Sequence, residues 1–180
     1  KPAYAAIINR LDRPVSGLVL IAKNKSAAAK YSTLMQKEGG FNKQYEALIC
    51  GKLSELKGTF VDYLKKDGRT NTSAIVPADA AANDKEAKLS KLEYEVISYD
   101  EVKDITHVRI HLITGRHHQI RVQFASRRHP LVGDYKYATA DCGMDNAVKA
   151  VALKRNQIAL CAVSLTVDNK TYSVAPEFLL

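Results

Sequence analysis

The sequence predicts an α+β protein with a mixed, mostly antiparallel central sheet that is flanked by a few helices. Segments with the alternating pattern of strands outnumber those with helical spacing. Most of these segments follow one another directly, without the intervening helix that parallel pairing requires. A chain of 180 residues with 46% apolar and 26% charged residues is long enough for one domain with a buried core.

The amino-terminal half predicts three strands and one helix. Three alanines and helical spacing indicate the helix, which the pair Gly39-Gly40 ends. Alternation in the second strand places Tyr45, Ala47 and Ile49 on one face. Strands are predicted at residues 18–22, 41–50 and 58–66, the helix at residues 25–37, and a mobile surface loop without a periodic face at residues 77–86.

The carboxy-terminal half predicts four strands and two helices. Val108, Ile110 and Leu112 alternate with polar residues and should point inward from a strand. The strands on either side of residues 100–104 are predicted to form a hairpin, and Gly115 separates the second of them from a helix. Strands are predicted at residues 91–99, 105–113, 157–168 and 170–174, the last two joined at Asn169, and helices at residues 118–128 and 145–153.

The balance of charges indicates a polyanionic partner. Lys and Arg number 27 against 19 Asp and Glu, which gives a net charge of +8 and a pI near 9.3. This composition alone leaves nucleic acid and acidic membrane open. No apolar run reaches the roughly 18 residues of a membrane span, and no secretory signal opens the chain. The scattered Cys50, Cys142 and Cys161 disfavour a disulfide framework or a thiolate zinc site. We therefore expect a soluble protein of the reducing cytoplasm.

One segment near the amino terminus places a carboxylate between two guanidinium groups. Asp12 lies between Arg10 and Arg13, and flanking cations hold a carboxylate ionised through charge and hydrogen bonds. Pro14 disfavours a helix through Asp12 and Gly17 permits an unusual turn, so Asp12 is predicted on a loop, where catalytic residues often lie. Taken alone, such an aspartate more often caps a turn beside solvated arginines.

Residues 107–137 form a basic cluster with a single acid, Asp134. The core of this cluster, residues 114–123, combines arginines with the start of a predicted helix, whose backbone N–H groups suit phosphate. Because the cations lie on both sides of a tight turn, we favour contact with RNA or DNA over a merely solvated face. The six cations are Arg109, Arg116, Arg121, Arg127, Arg128 and Lys136.

All five histidines lie between positions 107 and 129, which raises the question of a metal site. His107 and His111 share one strand face but lie too far apart to chelate without help. The His-Glu-x-x-His pattern and the glycine-rich phosphate loops of nucleotide-binding proteins are absent from the sequence. We expect polar contacts or capping for the histidines, no metal and no bound cofactor.

Three segments in order resemble the signature motifs of the RluA family of RNA pseudouridine synthases. They are Arg10-Leu11-Asp12-Arg13-Pro14-Val15-Ser16-Gly17-Leu18, Lys43-Gln44-Tyr45-Glu46-Ala47-Leu48-Ile49-Cys50-Gly51 and Thr114-Gly115-Arg116-His117-His118-Gln119-Ile120-Arg121-Val122. Residues 129–137 are similar to the segment that follows in that family. Three long matches in the right order are far more specific than one short pattern.

The resemblance implies the pseudouridine synthase fold with an active cleft across the sheet, and it implies site residues. Asp12 matches the essential aspartate, Tyr45 the active-site tyrosine and Arg121 the basic residue that pairs with the aspartate. Our candidate RNA-binding residues are Arg10, Arg13, Lys43, Arg116, His118, Gln119 and Arg127.

The sequence departs from the family at several positions outside the catalytic ones. Asn9, Gln123 and Cys161 stand where histidines are usual, and His117 replaces a common threonine. The chain begins at Lys1 without a methionine, and the strand with a Lys-Pro-x-Gly segment that normally precedes the first motif is missing, as is a separate RNA-binding domain. We therefore expect residues 1–180 to be a catalytic domain trimmed at its amino terminus.

The implied activity is the conversion of uridine in structured RNA, ribosomal RNA foremost or transfer RNA, to pseudouridine, with the uridine extruded from its stack. Asp12 would either attack ribose C1′ or remove a C2′ proton. A catalytically inactive RNA-binding module of the same fold is the alternative. A binder of acidic membranes fits poorly, because residues 25–37 are too alanine-rich and weakly apolar. We expect a monomer without an obligatory protein partner.

Overall fold

The computed structural model of the chain describes residues 3–37, 39–154 and 156–178. Ten strands and four helices follow one another in these ranges. They are β1 (Ala6–Ile7), β2 (Ser16–Gly17), β3 (Ile21–Ala22), α1 (Lys25–Gln36), β4 (Asn42–Cys50), β5 (Lys57–Asp67), β6 (Thr72–Val76), α2 (Ala78–Ala81), β7 (Lys88–Asp100), β8 (Ile105–Leu112), α3 (Gln119–Ala125), α4 (Met144–Ala150), β9 (Leu160–Val167) and β10 (Lys170–Ser173).

An eight-stranded sheet organises the fold. Its strands lie in the order β10-β9-β4-β8-β7-β5-β6, and β2 joins the sheet beside β9. Every pairing is antiparallel except the short parallel one between β2 and β9. A separate two-stranded ribbon pairs β1 with β3. The predicted class, a mixed and mostly antiparallel sheet with a few helices, is confirmed.

Gly17 explains why the first predicted strand, residues 18–22, is wrong in its extent. This glycine has a φ of +120°, and a Cβ atom placed on it would lie 2.4 Å from the carbonyl oxygen of Ala162 on β9. Only glycine allows both this backbone conformation and this approach. The chain therefore pairs with β9 at β2, leaves the sheet at residues 18–20, and pairs with β1 at β3.

Two elements between the predicted strands were not foreseen. Thr72–Val76 forms β6, the edge strand that pairs with β5, and the predicted loop at residues 77–86 contains the single helical turn α2. The other predicted elements are present with ends that shift by a few residues, as is usual for boundaries. The hairpin of β7 and β8 turns at residues 101–104 as expected.

Hydrophobic cores lie on both faces of the sheet. The front face, which we define as the one carrying Tyr45, Ala47 and Ile49, packs against Ile120 and Phe124 of α3. Phe124 is fully buried and meets the rings of Phe60 and Tyr94 at centroid distances of 5.0 and 5.9 Å. Burial of one such side chain stabilises the fold by about 2 to 3 kcal/mol.

The back face of the sheet packs against α4, and α1 covers β9 near Phe41 and Leu165. The inward side chains of β8 are those the alternation predicted, Val108, Ile110 and Leu112. In the described ranges, no helix has both the length and the apolar character needed to cross a bilayer. With α3 fixed on the front face, the loop that precedes it and the segment 8–15 enclose a cleft.

Candidate active site

A cleft of about 550 Å³ opens on the front face of the sheet. Its walls are the amino-terminal segment 8–15, the front of β4, the turn before α3 and the hairpin of β5 and β6. The volume falls within the range of small-molecule sites. Asp12, Tyr45 and Arg121, which lie far apart in the sequence, all line it.

Arg121 holds two carboxylates. Its Nε and Nη2 donate to Asp134 Oδ2 and Oδ1 at 2.7 and 2.8 Å, and its Nη1 donates to Asp12 Oδ2 at 3.2 Å. The side chains of Arg121 and Asp134 are almost fully buried, whereas that of Asp12 is 29% exposed. Burial lowers the pKa of Arg121, but the hydrogen bonds and charges of Asp134 and Asp12 outweigh it, so the net shift is upward. The guanidinium is a fixed positive charge beside Asp12.

The loop that carries Asp12 is held by a buried amide. Asn9 Nδ2 donates to the carbonyl oxygen of Leu18 at 3.0 Å, and Asn9 Oδ1 accepts from the N–H of Leu20 at 2.6 Å. Asp12 itself turns the chain, because its carbonyl accepts from the N–H of Val15. Asn9 thus closes the base of the loop in the position where the family usually has a histidine.

The two carboxylate oxygens of Asp12 differ in their contacts. His118 Nε2 lies 3.7 Å from Oδ2, the same oxygen that Arg121 contacts. Across residues 3–37, 39–154 and 156–178, Oδ1 of Asp12 makes no hydrogen bond. Arg121 therefore holds the carboxylate through Oδ2, and His118 lies near the same oxygen.

Tyr45 is a neutral phenol on the floor of the cleft. It lies on β4, where the pairing with β9 shifts register between Gln44 and Tyr45, and such a shift re-aims a side chain. Burial, and then the charge of Asp12, raise the pKa of Tyr45 to about 12. The hydroxyl therefore keeps its proton at neutral pH.

A partly buried cluster of aromatic rings lies beside Asp12. The rings of His117 and His118 stack at a centroid distance of 3.8 Å, and Tyr137 Oη lies 2.6 Å from His118 Nδ1. Ser73 on β6 donates its backbone N–H to Tyr137 Oη at 2.9 Å, and its hydroxyl lies 2.9 Å from His117 Nδ1. Burial, and then the charge of Arg121, lower the pKa of His118 to about 4, so the imidazole is neutral.

Three of the predicted RNA-binding residues offer cations to the cleft. Arg10, Lys43 and Arg116 line it, and Arg10 and Arg116 are exposed. Burial lowers the pKa of Lys43, whose ammonium group pairs with no carboxylate of the described ranges. Arg116 is partly engaged, because its Nε donates to the carbonyl of Leu89.

Two further candidates line the cleft but serve its internal structure. Gln119 is buried, and its side chain bonds to Thr114, the N–H of Arg116, the carbonyl of Lys91 and Gln123. These four contacts use its polar atoms to fix the turn before α3. His118 is likewise buried within its contacts to Tyr137 and Asp12.

The last two candidates, Arg13 and Arg127, lie outside the lining of the cleft. Arg13 is exposed. Arg127 pairs with both carboxylate oxygens of Asp62 at 3.0 and 3.1 Å and lies 4.0 Å over the ring of Phe60. This arginine packs the end of α3 against β5.

Sequence reasoning missed Asp134, Tyr137 and Ser73. Asp134 could have been found, because it is the single acid among six cations and a buried arginine needs a counter-ion. Ser73 carried no signal, since it lies on the unpredicted β6.

The remaining histidines have separate partners: His107 contacts Glu46, His111 contacts Glu93, and His129 contacts the carbonyl of Cys50. No three His, Cys, Asp or Glu side chains in the described ranges are grouped to hold a metal.

Comparisons with known proteins agree with this geometry. The sequence pattern of the family described as RNA pseudouridylate synthase matches residues 1–126, more than half of the chain. The chain is 36% identical over 135 residues to ribosomal large subunit pseudouridine synthase D of Blochmanniella floridana, covering 74% of this chain and 38% of that protein. It is 30% identical over 177 residues to the protein of the same name in Vibrio vulnificus, covering 97% of this chain and 51% of that protein.

A solved structure shares the fold. The human RNA pseudouridylate synthase domain containing 1 aligns with a TM-score of 0.75 at 24% identity, covering 97% of this chain and 69% of that chain. The chain therefore belongs to the RluA family of RNA pseudouridine synthases, as its motifs predicted. It spans about half or less of the length of the two bacterial relatives.

Proposed function

We propose that this protein isomerises uridine to pseudouridine in structured RNA, with Asp12 as the reacting group. One observation carries the proposal: Asp12, Tyr45 and Arg121 converge on one cleft. Arg121 holds the Asp12 carboxylate through Oδ2, and Oδ1 makes no hydrogen bond with the part of the chain that the structure describes. Ribosomal RNA is the favoured substrate because the two bacterial relatives act by name on the large ribosomal subunit. Transfer RNA is the second candidate.

The reaction breaks the bond between C1′ and N1, rotates the uracil and joins C1′ to C5. C5 then loses a proton and N1 gains one, so the composition is unchanged. Asp12 Oδ1 either attacks C1′ or removes the C2′ proton to give a glycal. Arg121 places a fixed positive charge beside Asp12, which offsets the cost of holding a carboxylate in a partly buried site. No step requires a cofactor.

Tyr45 supplies a surface for the uracil. Because its phenol stays neutral, we assign it stacking on the base and transfer of the C5 proton through its hydroxyl to water, rather than action as a phenolate. Arg10, Lys43 and Arg116 at the walls suit the phosphates on either side of an extruded nucleotide. Their contacts offset the few kcal/mol that unstacking costs.

Three further assignments, of the domain, the cellular location and the oligomeric state, complete the proposal. We assign residues 1–180 to a catalytic domain, because one sheet and its two faces account for the cores. Free thiols at Cys50, Cys142 and Cys161 support a reducing, cytoplasmic location. We also assign the protein to act as a monomer without an obligatory protein partner, as we expect from the sequence.

The test is tritium release from RNA labelled at C5 of uridine. Asp12→Asn should release no tritium above background while its Kd for the same RNA stays within about threefold of wild type, because we assign the phosphate contacts to other residues. The matched control is Asp79→Asn, an exposed aspartate at the start of α2, which should release tritium at the wild-type rate. Release by Asp12→Asn would contradict the proposal. Binding without release by the wild type would favour the inactive RNA-binding module.

The substrate is identified in cells. Pseudouridines mapped in total RNA with and without the gene should differ at one or a few positions of ribosomal RNA. A difference confined to transfer RNA would overturn that assignment and leave the chemistry intact.

A further inference from the structure

The hydrogen bonds around Tyr137 have a defined direction. Tyr137 Oη accepts from the backbone N–H of Ser73 at 2.9 Å, and a backbone N–H can only donate. The phenol has one proton of its own, and His118 Nδ1 lies 2.6 Å away. If Nδ1 also donated, the Tyr137 oxygen would accept twice and its own proton would lack this partner. The arrangement that satisfies every group has Tyr137 donating to an unprotonated Nδ1.

The other side of the His118 ring leads to the same tautomer. Nε2 lies 3.7 Å from Asp12 Oδ2. An unprotonated Nε2 would direct its lone pair at a carboxylate, which is repulsive, whereas Nε2–H directs a donor at it. A doubly protonated ring would place a second cation beside Arg121, whose guanidinium already contacts the same oxygen. The neutral ring with its proton on Nε2 is therefore favoured at both nitrogens.

The ring is held where it can act. His118 has a left-handed backbone, with φ 54° and ψ 23°, immediately before α3, a conformation that costs free energy and persists only where the surroundings fix it. His117 stacks on it and contacts the hydroxyl of Ser73. From β6, an element outside the three motifs, Ser73 thus contacts His117 and Tyr137, the two side chains that flank the His118 ring.

We propose that Tyr137 fixes His118 as the Nε2–H tautomer and so makes this neutral histidine the second donor that orients Asp12. The inference rests on the proposed function for its catalytic consequence, but not for the hydrogen bonds. Both are positioning residues. The distance of 3.7 Å is longer than a hydrogen bond, and such contacts often shorten when substrate closes the site. A neutral donor fixes Oδ2 without a second full charge that would weaken Oδ1 as a nucleophile or base.

The tautomer is read directly by NMR of protein labelled with 15N-histidine. The His118 signals, assigned by their loss in His118→Gln, should show the proton on Nε2 and an unprotonated Nδ1 in the wild type at neutral pH. Tyr137→Phe should lower the population of the Nε2–H form and raise that of the Nδ1–H form, because only the 3.7 Å contact with Asp12 then favours Nε2–H. A wild-type ring protonated on Nδ1, or an unchanged tautomer in Tyr137→Phe, overturns the proposal. Both results are independent of whether the protein modifies RNA.

Kinetics supply the catalytic half of the test. Tyr137→Phe should lower the single-turnover rate about tenfold, because Asp12 is less well oriented, while the Kd for RNA stays near that of wild type. Tyr135→Phe is the matched control, since Tyr135 is an exposed tyrosine two residues away that contacts Asp145 instead, and its rate should be unchanged. Equal rates for the two variants would overturn the positioning role. A wild type that releases no tritium would instead refute the proposed function, and the NMR result would stand.

Discussion

Replacing Asp134 with asparagine should mainly lower the free energy of unfolding. Asp134 is 2% exposed and accepts two hydrogen bonds from the buried Arg121 at 2.7 and 2.8 Å. Asparagine retains one acceptor and turns an NH2 group toward the guanidinium, so one charge-assisted bond is lost. The negative charge of Asp134, one of the two carboxylates beside Arg121, is lost as well. Breaking a buried ion pair costs 3 to 5 kcal/mol. Because Asp12 remains as a partner, we expect a loss of about 3 kcal/mol, or a fall in Tm of roughly 6 to 12 °C for a chain of this size.

The assay is urea unfolding followed by circular dichroism, with Asp12→Asn as the paired variant. Asp12 is partly exposed and makes one bond of 3.2 Å to Arg121, so its loss should change the unfolding free energy by less than about 1 kcal/mol. Asp134→Asn should thus be destabilised and Asp12→Asn inactive but stable. If Asp134→Asn lost less than about 1 kcal/mol, or Asp12→Asn lost as much as Asp134→Asn, the assignment of structural and reactive carboxylates would be refuted.

Two further predictions concern the surroundings of Asp12. Asn9→Asp removes the donor to the carbonyl of Leu18, which closes the base of the loop that carries Asp12. The single-turnover rate should fall about tenfold, with little change in the Kd for RNA. A wild-type rate would show that the loop does not depend on this amide. His118 has a pKa lowered to about 4 from 6.5, so below about pH 6.5 the unfolded chain takes up a proton that the folded chain does not, and stability should fall as pH drops toward 4. Urea unfolding measured from about pH 7.5 to pH 4.5 should show this fall in the wild type, at most about 1.4 kcal/mol of unfolding free energy per pH unit, and should show its loss in His118→Gln. Parallel plots of unfolding free energy against pH for wild type and variant would refute the prediction.

The sequence was sufficient to predict the three residues that meet in the cleft, because each stands in a long motif with a defined local structure. It was not sufficient to divide the arginines by role. Arg127 belongs to the same basic cluster as Arg121, but its partner Asp62 lies 65 positions earlier on β5. Pairing over such a distance depends on how β5 packs against α3, and neither charge nor spacing near Arg127 contains that information.

The fold was predictable where periodicity was long. β4, β7 and β8 have eight or more residues and alternate over part of their length, and they were assigned correctly, including the faces of Tyr45 and Val108. β2 has two residues, too few for a pattern, and the five residues of β6 do not alternate between polar and apolar types. Both depend on tertiary pairing, β2 on the approach of Gly17 to β9 and β6 on the edge of β5.

The geometry of Arg121 explains why the site needs a guanidinium and a second carboxylate. A planar fork can direct Nε and Nη2 at Asp134 while Nη1 remains for Asp12, whereas a lysine ammonium has no such fixed set of directions. Asp134 fixes the fork, and the fork, together with His118, fixes Asp12 through Oδ2 alone. With one positive and two negative charges, the group has a net negative charge. Because Asp134 takes the shorter bonds, Asp12 is held by the single longer bond of 3.2 Å, and its Oδ1 is left for the role of base or nucleophile that we propose.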